Sequence, residues 1–213
     1  MKTEELVNLL AAQTVAVDRG AAARRMIFAL GIAGGAGIAL TGAVLGFNPH
    51  LAQESALPMF WVKQVFCAAL ALPACIMAAR LGRPGRRPGS LLTGIGVPLV
   101  AMWGLAAVVL WRAPAAERLT LLLGHTALVC PWLIALVSVP AFIGLFWLLH
   151  GLAPTRLAST GAAAGLAAGA IGAWIYALHC PEYAAPFLAL WYVLGMAIPT
   201  ALGALLGPRL LSW

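Results

Sequence analysis

His179-Cys180-Pro181-Glu182-Tyr183, followed closely by Trp191-Tyr192, is the stretch of sequence that decides the fold. A histidine and a cysteine, which can bind protons or metals, stand beside a proline and several aromatic residues, and long apolar runs lie on either side. This combination is typical of the point where a membrane protein meets water, because aromatic rings concentrate at that interface. We therefore expect the flanking runs to be membrane helices and the stretch itself to be a candidate sensing surface.

The composition of the whole chain supports this interpretation. The 213 residues are 63% hydrophobic and only 9% charged. Several apolar runs reach the ~20 residues that an α-helix needs to cross a ~30 Å hydrocarbon layer. The formal charge of +7 does not indicate nucleic-acid binding here, because Lys and Arg accumulate on the cytoplasmic side of membrane helices. The sequence predicts a multi-pass protein of the bacterial inner membrane, with the lipid bilayer as a partner and no direct contact with nucleic acid.

We predict an all-α fold with six transmembrane helices and both termini in the cytoplasm. The first apolar run begins near Met26, too late and too long for a secretory signal peptide, so it should remain as an anchor. The run over residues 115–129 predicts a helix or half-helix lying at the outer interface. The predicted organisation is a cytoplasmic segment 1–25, a transmembrane domain 26–206 with helices 26–46, 59–79, 91–111, 130–150, 157–178 and 187–206, and a cytoplasmic tail 207–213.

The distribution of basic residues sets the predicted orientation. The loops assigned to the outside hold only Arg112 and Arg118. This imbalance favours the proposed topology, because the positive-inside rule counts Lys and Arg near the helix ends. The loops and termini assigned to the cytoplasm hold Lys2, Arg19, Arg24, Arg25, Arg80, Arg83, Arg86, Arg87, Arg156 and Arg209.

Glycines at helical spacing predict where helices pack closely. Gly161, Gly165 and Gly169 recur every four residues in the fifth helix, and such a face lets a second backbone approach. The first helix is also rich in small residues, including Gly31 and Gly35, so close packing is expected there too.

Lys63 lies near the start of the second helix, where an ionisable group is costly unless it reaches the membrane surface. We favour an interpretation in which its side chain extends to that surface, and keep a functional or packing role as the alternative. Cys67 and Cys75 lie deeper in the same helix, about 12 Å apart. They cannot bond each other and are expected to fill the core.

The N-terminal segment predicts a short amphipathic helix. Its first turn carries acidic residues, which the helix dipole favours, and an apolar stripe follows at helical spacing. Such a helix either lies on the lipid surface or docks onto a soluble cytoplasmic partner. The residues of this candidate docking helix are Glu4, Glu5, Leu6, Leu9 and Leu10.

Cys130 and Cys180 are the residues most capable of chemistry, because both are expected at the same outer rim on different helices. They could form a disulfide in an oxidising compartment. With His125 and His179 nearby, reduced cysteines could instead bind a soft or borderline metal such as Cu(I), Zn or Cd. A permanent structural disulfide, or two unrelated thiols, are the alternatives. No cofactor is expected to be obligatory.

The sequence contains none of the familiar catalytic signatures, such as CxxC, HExxH or a phosphate-binding glycine loop. It also has no pair of carboxylates within the membrane runs. We therefore expect a protein that is not an enzyme. A membrane thiol oxidoreductase and a small metal or solute permease stay open as alternatives.

Several motifs resemble those of the NrsF-type anti-sigma family. They are Phe60-Trp61-Val62-Lys63, Arg83-Pro84-Gly85, Leu178-His179-Cys180-Pro181-Glu182, Trp191-Tyr192-Val193-Leu194-Gly195-Met196 and the closing segment 203–213. The likeness covers nearly the whole chain and includes Lys63, Glu182, Trp191 and Tyr192 as further candidate site residues.

The resemblance implies a six-helix membrane protein that negatively regulates an extracytoplasmic-function (ECF) sigma factor. Its cytoplasmic face would hold the sigma factor away from RNA polymerase. The family's functional pair of periplasmic cysteines would correspond to Cys130 and Cys180, which would respond to heavy metal or oxidant and release the sigma factor. Whether the protein forms a homo-oligomer is open.

Overall fold

The structure is a computed structural model that describes residues Glu4, Glu5 and 21–212, with the side chains of residues 21–23 excepted. The secondary structure of this described part is helical, without strands, and includes six helices long and apolar enough to span a membrane, as the sequence predicts. In chain order the elements are α1 (Ala21–Leu40, extended by a π-helical turn Thr41–Leu45), α2 (Leu51–Glu54), α3 (Pro58–Leu81), α4 (Leu91–Arg112), α5 (Ala115–Leu123), α6 (Cys130–His150), α7 (Leu157–Tyr176) and α8 (Ala185–Phe187, a π-helical turn Leu188–Tyr192, then Val193–Leu210).

Helix α7 lies at the centre and packs against α3, α6 and α8. Its glycines explain the close contact with α8: a Cβ atom built on Gly161 would lie 2.0 Å from the carbonyl oxygen of Gly203. A Cβ built on Gly165 would lie 2.0 Å from the carbonyl oxygen of Pro199. The two backbones therefore touch without side chains between them. The glycine face predicted for this helix is confirmed.

In the first helix the same expectation is wrong for Gly31 and Gly35. A Cβ on Gly31 or Gly35 would meet nothing within 4 Å among the described residues. Instead α1 contacts its neighbours through Gly37, which lies against Ile175, and through Ala33, which faces Gly144. The reason is that α1 is a peripheral helix with one face on the bundle, so glycines on its other face meet no partner helix.

The helices alternate in direction and give the molecule two ends. One end, called here the arginine end, carries the exposed turn Arg83–Arg87 together with Arg156 and Arg209. The opposite end, called here the cysteine end, carries Cys130 and Cys180. Helix α1 starts and helix α8 finishes at the arginine end.

The last helix is longer than predicted. It continues through Pro208 to Leu210, so the first residues of the tail predicted from position 207 are helical. Proline removes one helical hydrogen bond, but membrane helices tolerate it where neighbouring groups compensate. The helical hydrogen-bond pattern resumes after the proline, where the N–H of Leu211 donates to the carbonyl of Gly207 at 3.0 Å, and Leu211 is fully buried.

Candidate functional site

The cysteine end brings together two thiols from different parts of the chain. Cys130 is the first residue of α6, and Cys180 lies in the irregular segment between α7 and α8. Their exposed fractions are 0% and 1%. Both are free cysteines, and their side chains hydrogen-bond to each other. The structure therefore brings the predicted pair together, with no disulfide bond between them.

Lys63 is part of this site and does not extend to the membrane surface. Its side chain is 0% exposed. The Nζ atom donates to the carbonyl oxygens of Cys180, at 2.8 Å, and Glu182, at 3.2 Å. The ammonium also stands 4.1 Å from the ring centroid of Tyr183, in the geometry of a cation–π contact. The prediction that Lys63 extends to the membrane surface is wrong, because the segment after α7 folds over the side chain and its main-chain carbonyls accept hydrogen bonds from the ammonium.

Two carboxylates fix the segment that carries Cys180. Glu182 accepts a hydrogen bond from the main-chain N–H of His125 at 2.6 Å. The neighbouring Gly124 has φ of +51°, and a Cβ there would lie 2.7 Å from the Glu182 carboxylate, so only glycine fits. Glu54 in α2 accepts from Asn48 at 2.5 Å and from the Tyr183 hydroxyl. The link from α5 to α6 and the link from α1 to α3 are thus both tied to the cysteine segment.

Tyrosine hydroxyls line the thiol pair. Tyr176 hydrogen-bonds to the thiol of Cys130, and Tyr192 lies beside that of Cys180. The Tyr192 hydroxyl is buried, and the described part of the chain gives it no hydrogen-bond partner. It is presented by the π-helical turn Leu188–Tyr192, a feature that often marks functional sites. Trp191 of the same turn donates from Nε1 to the carbonyl of Leu122 at 2.7 Å, which ties α8 to α5.

The surroundings of Cys180 favour its thiolate. The hydrogen bond from the Cys130 thiol has the largest effect on the pKa of Cys180. Together with the Lys63 ammonium and the Glu182 main-chain N–H, it outweighs burial, which by itself would raise that pKa. These contacts lower the pKa of the Cys180 thiol to about 6. A thiolate is the nucleophilic form of cysteine, so Cys180 is the candidate nucleophile of the pair. Tyr183 behaves oppositely: burial, followed by its bond to Glu54, raises the pKa of its hydroxyl, which stays protonated and donates.

The two predicted histidines do not join the thiols. His179 Nδ1 contacts the carbonyl oxygen of Gly46 at 2.8 Å, and His125 contributes its main-chain N–H to Glu182. Among the residues that the structure describes, no three His, Cys, Asp or Glu side chains cluster as metal ligands would. The metal site proposed for Cys130 and Cys180 stays a prediction with two protein donors.

Other candidate residues fall outside this cluster. Glu4 and Glu5 are helical and exposed, whereas Leu6, Leu9 and Leu10 lie outside the described residues. Cys67 and Cys75 are buried in α3, as expected of core residues.

Sequence reasoning named Tyr192 as a candidate through the family resemblance but missed Tyr176 and the contact that Tyr183 makes. Tyr176 precedes Cys180 by four residues at the end of α7, a spacing that places both on one helical face. That spacing could have identified Tyr176. Tyr183 carried no comparable signal, because its contact with Glu54 joins residues 129 positions apart.

The fold and the site define a multi-pass membrane protein that keeps a pair of cysteines buried at one end. The sequence profile of the family described as "Negative regulator of sigma F" matches residues 10–213. The chain belongs to this family of negative regulators of sigma F. It is 44% identical over 213 residues to a protein of Azospira oryzae named "Probable anti-sigma-F factor NrsF", with 100% of both chains covered.

A second relative is the "Anti-sigma-F factor NrsF" of Caulobacter vibrioides, which is 35% identical over 216 residues and is also covered completely. No solved structure matches the chain.

Proposed function

We propose that this protein is an inner-membrane anti-sigma factor that holds an ECF sigma factor at its cytoplasmic face and releases it when Cys130 and Cys180 react. The observation that carries the proposal is the full-length similarity to two proteins named as anti-sigma-F factors. The buried dithiol adds the means of sensing, since it is the one cluster of the described residues that combines a nucleophile with a second thiol.

The distribution of charge supports the proposed orientation. The arginine end holds the exposed turn Arg83–Arg87, Arg156 and Arg209. By the positive-inside rule this end faces the cytoplasm, and the sigma factor docks there, on residues 1–25 and the adjoining loops. The cysteine end then faces the periplasm, where oxidants and soft metals arrive first.

Oxidation of the pair balances as a two-electron reaction. The Cys180 thiolate attacks one oxygen of a peroxide and becomes a sulfenic acid, and the other oxygen leaves as water after taking up a proton. The Cys130 sulfur then attacks the sulfenic sulfur, loses its own proton and expels a second water. Two thiols and one hydrogen peroxide give one disulfide and two waters.

Soft metal ions are the second proposed signal. Cu(I), Zn²⁺ or Cd²⁺ would bind both sulfurs with loss of the thiol protons, because thiolates are the preferred ligands of these ions. Either reaction must favour the releasing conformation over the holding one for the signal to pass.

The test is retention of a purified ECF sigma factor by the full-length protein in nanodiscs, before and after peroxide or Cd²⁺. Wild type should lose the sigma factor on treatment. Cys130→Ser and Cys180→Ser should bind it equally well and retain it after treatment, whereas Cys75→Ser, a buried control away from the pair, should behave as wild type. Unchanged release from the Cys180→Ser protein would refute the proposed sensor, and absence of binding in all conditions would refute the anti-sigma role.

A membrane thiol oxidoreductase is the second candidate, favoured by the lowered pKa of Cys180. It would pass electrons from the thiol pair to a quinone or a partner disulfide. Copurified quinone, and catalytic reduction of that quinone by the wild type but not by the Cys180→Ser protein, would support it over the sensor.

A further inference from the structure

Lys63 holds the segment that carries the reactive cysteine. Its two hydrogen bonds go to main-chain carbonyls of that segment, those of Cys180 and Glu182, and its ammonium lies over the ring of Tyr183. No side-chain carboxylate takes either bond: Glu182 is engaged with His125, and Glu54 with Asn48 and Tyr183. The position of the Lys63 ammonium therefore depends on the backbone conformation of residues 180–183.

The two cysteines are held unequally. Cys130 starts a regular helix, with its own N–H bonded to the carbonyl of Thr126 at 2.9 Å. The N–H of Cys180 is also bonded, to the carbonyl of Tyr176 at 3.1 Å, but residues 180–184 form no helix. A disulfide bond is about 2 Å long, well below the distance between two hydrogen-bonded thiols. When the sulfurs close to that distance, the backbone that yields is the one around Cys180, and its carbonyl moves relative to Lys63.

Helix α3 runs from this contact to the other end of the molecule. It spans Pro58–Leu81 without a break in its helical assignment, and its last residue accepts a hydrogen bond from the Thr160 hydroxyl at 3.2 Å. The arginine turn follows directly. Pro73 within the helix leaves one carbonyl without its helical donor and provides a bend point between the two ends.

We propose that Lys63 couples the thiol pair to helix α3: bond formation at Cys180 displaces the carbonyls that Lys63 holds, the buried ammonium follows them, and α3 shifts at the arginine turn. Lys63 is thus a positioning residue that touches no reacting atom. Its significance for sigma release rests on the proposed function, but the movement of α3 can be measured without any sigma factor.

The first measurement is trypsin cleavage of the arginine turn in the full-length protein in nanodiscs. The bonds after Arg83 and Arg87 precede proline and resist trypsin, so the bond between Arg86 and Arg87 reports the turn. Cleavage after Arg118, at the cysteine end, is the internal control. The oxidant is diamide, a diazene compound that takes two electrons and two protons from the thiol pair and becomes a hydrazine. Disulfide formation is measured separately, by alkylating the remaining free thiols and determining the mass of the protein.

Wild type should change its cleavage rate at Arg86 by roughly tenfold on disulfide formation, within the range of measured couplings between sites. Lys63→Met should form the disulfide but change that rate less than about twofold. Lys63→Arg, which keeps a cation and its donors, should restore most of the change. Gln64→Met is the matched control: Gln64 is the next residue, also buried, and its amide has no partner in the described structure, so its replacement should leave the coupling intact.

The outcomes separate the two proposals. Equal changes in wild type and Lys63→Met, or no change in wild type, would overturn the role of Lys63. If Lys63→Met does not fold, Lys63→Gln is compared in its place, since it removes the charge and keeps a donor. A lysine-dependent change at Arg86 with no loss of a bound sigma factor would leave the coupling standing and refute the proposed release.

Discussion

The contact between α7 and α8 gives the most direct test of the fold, through Gly165→Ala. The Cβ added at Gly165 would lie 2.0 Å from the Pro199 carbonyl oxygen and 2.9 Å from the Cα of Thr200. Both obstacles are backbone atoms, so no side chain can rotate away. To reach even 3.0 Å from the carbonyl, the two helices must separate by about 1 Å along their closest line.

The expected cost follows from overpacking. Forcing extra atoms into a well-packed contact costs typically about 1–3 kcal/mol, and here the clash with rigid backbone places the change at the upper end. In open space the same replacement gains up to about 1 kcal/mol, because alanine is the better helix former. Gly31→Ala is therefore the matched control, since its Cβ would meet nothing within 4 Å.

The assay is reversible unfolding of the purified protein in mixed micelles by increasing dodecyl sulfate, followed by tryptophan fluorescence. Gly165→Ala should lower the free energy of unfolding by about 2–3 kcal/mol, a factor of roughly 30–150 in the folded-to-unfolded ratio. Gly31→Ala should leave the free energy unchanged or raise it slightly. Equal stability of the two variants would refute the backbone contact between α7 and α8.

Two further predictions concern the cysteine end. The alkylation rate of Cys180 in the wild type should rise with pH through about 6, because the thiolate is the form that reacts and the pKa of this thiol is lowered. Cys130→Ala removes the contact that stabilises the thiolate most and should move the midpoint up towards the ordinary cysteine value of about 8.5. An unmoved midpoint would contradict the role given to Cys130 in lowering the pKa of Cys180. Gly124→Ala should destabilise the protein by about 2 kcal/mol, since alanine at φ +51° is strained and its Cβ would strike the Glu182 carboxylate. The measurement is the midpoint of thermal unfolding, with Gly96→Ala, which has open space around it, as the control. Equal midpoints for the two variants would count against strain at Gly124.

The long helices could be predicted because each depends on the local sequence alone. Length and apolar character define a membrane span without reference to any partner, and the glycine spacing of α7 likewise marks a packing face within one helix. The glycines of α1 show the limit of that reasoning. A small-residue face indicates that a backbone can approach, but only the arrangement of the other helices decides whether one does.

The site was predictable only in part for a related reason. Cys130 and Cys180 could be placed at one rim because topology alone puts both ends of their helices there. The partner of Lys63 could not be deduced, since 117 residues separate it from Cys180. Burial of a lysine depends on whether a distant segment covers it, and the hydrophobic pattern of α3 carries no information on that. The π-helical turn that presents Tyr192 is equally invisible in an apolar run.

The burial of Lys63 has a consequence for how the protein is made. Helix α3 leaves the ribosome long before residues 178–183, so it must enter the bilayer while its lysine still lacks the carbonyls that later surround it. A lysine at the centre of an inserting helix costs about 3 kcal/mol, but Lys63 is only five residues after the first residue of α3, roughly 7–8 Å along the axis. From there the ammonium can reach the phosphates and water of the lipid headgroup region. Once the final helices have been inserted, the main-chain carbonyls of Cys180 and Glu182 replace those contacts.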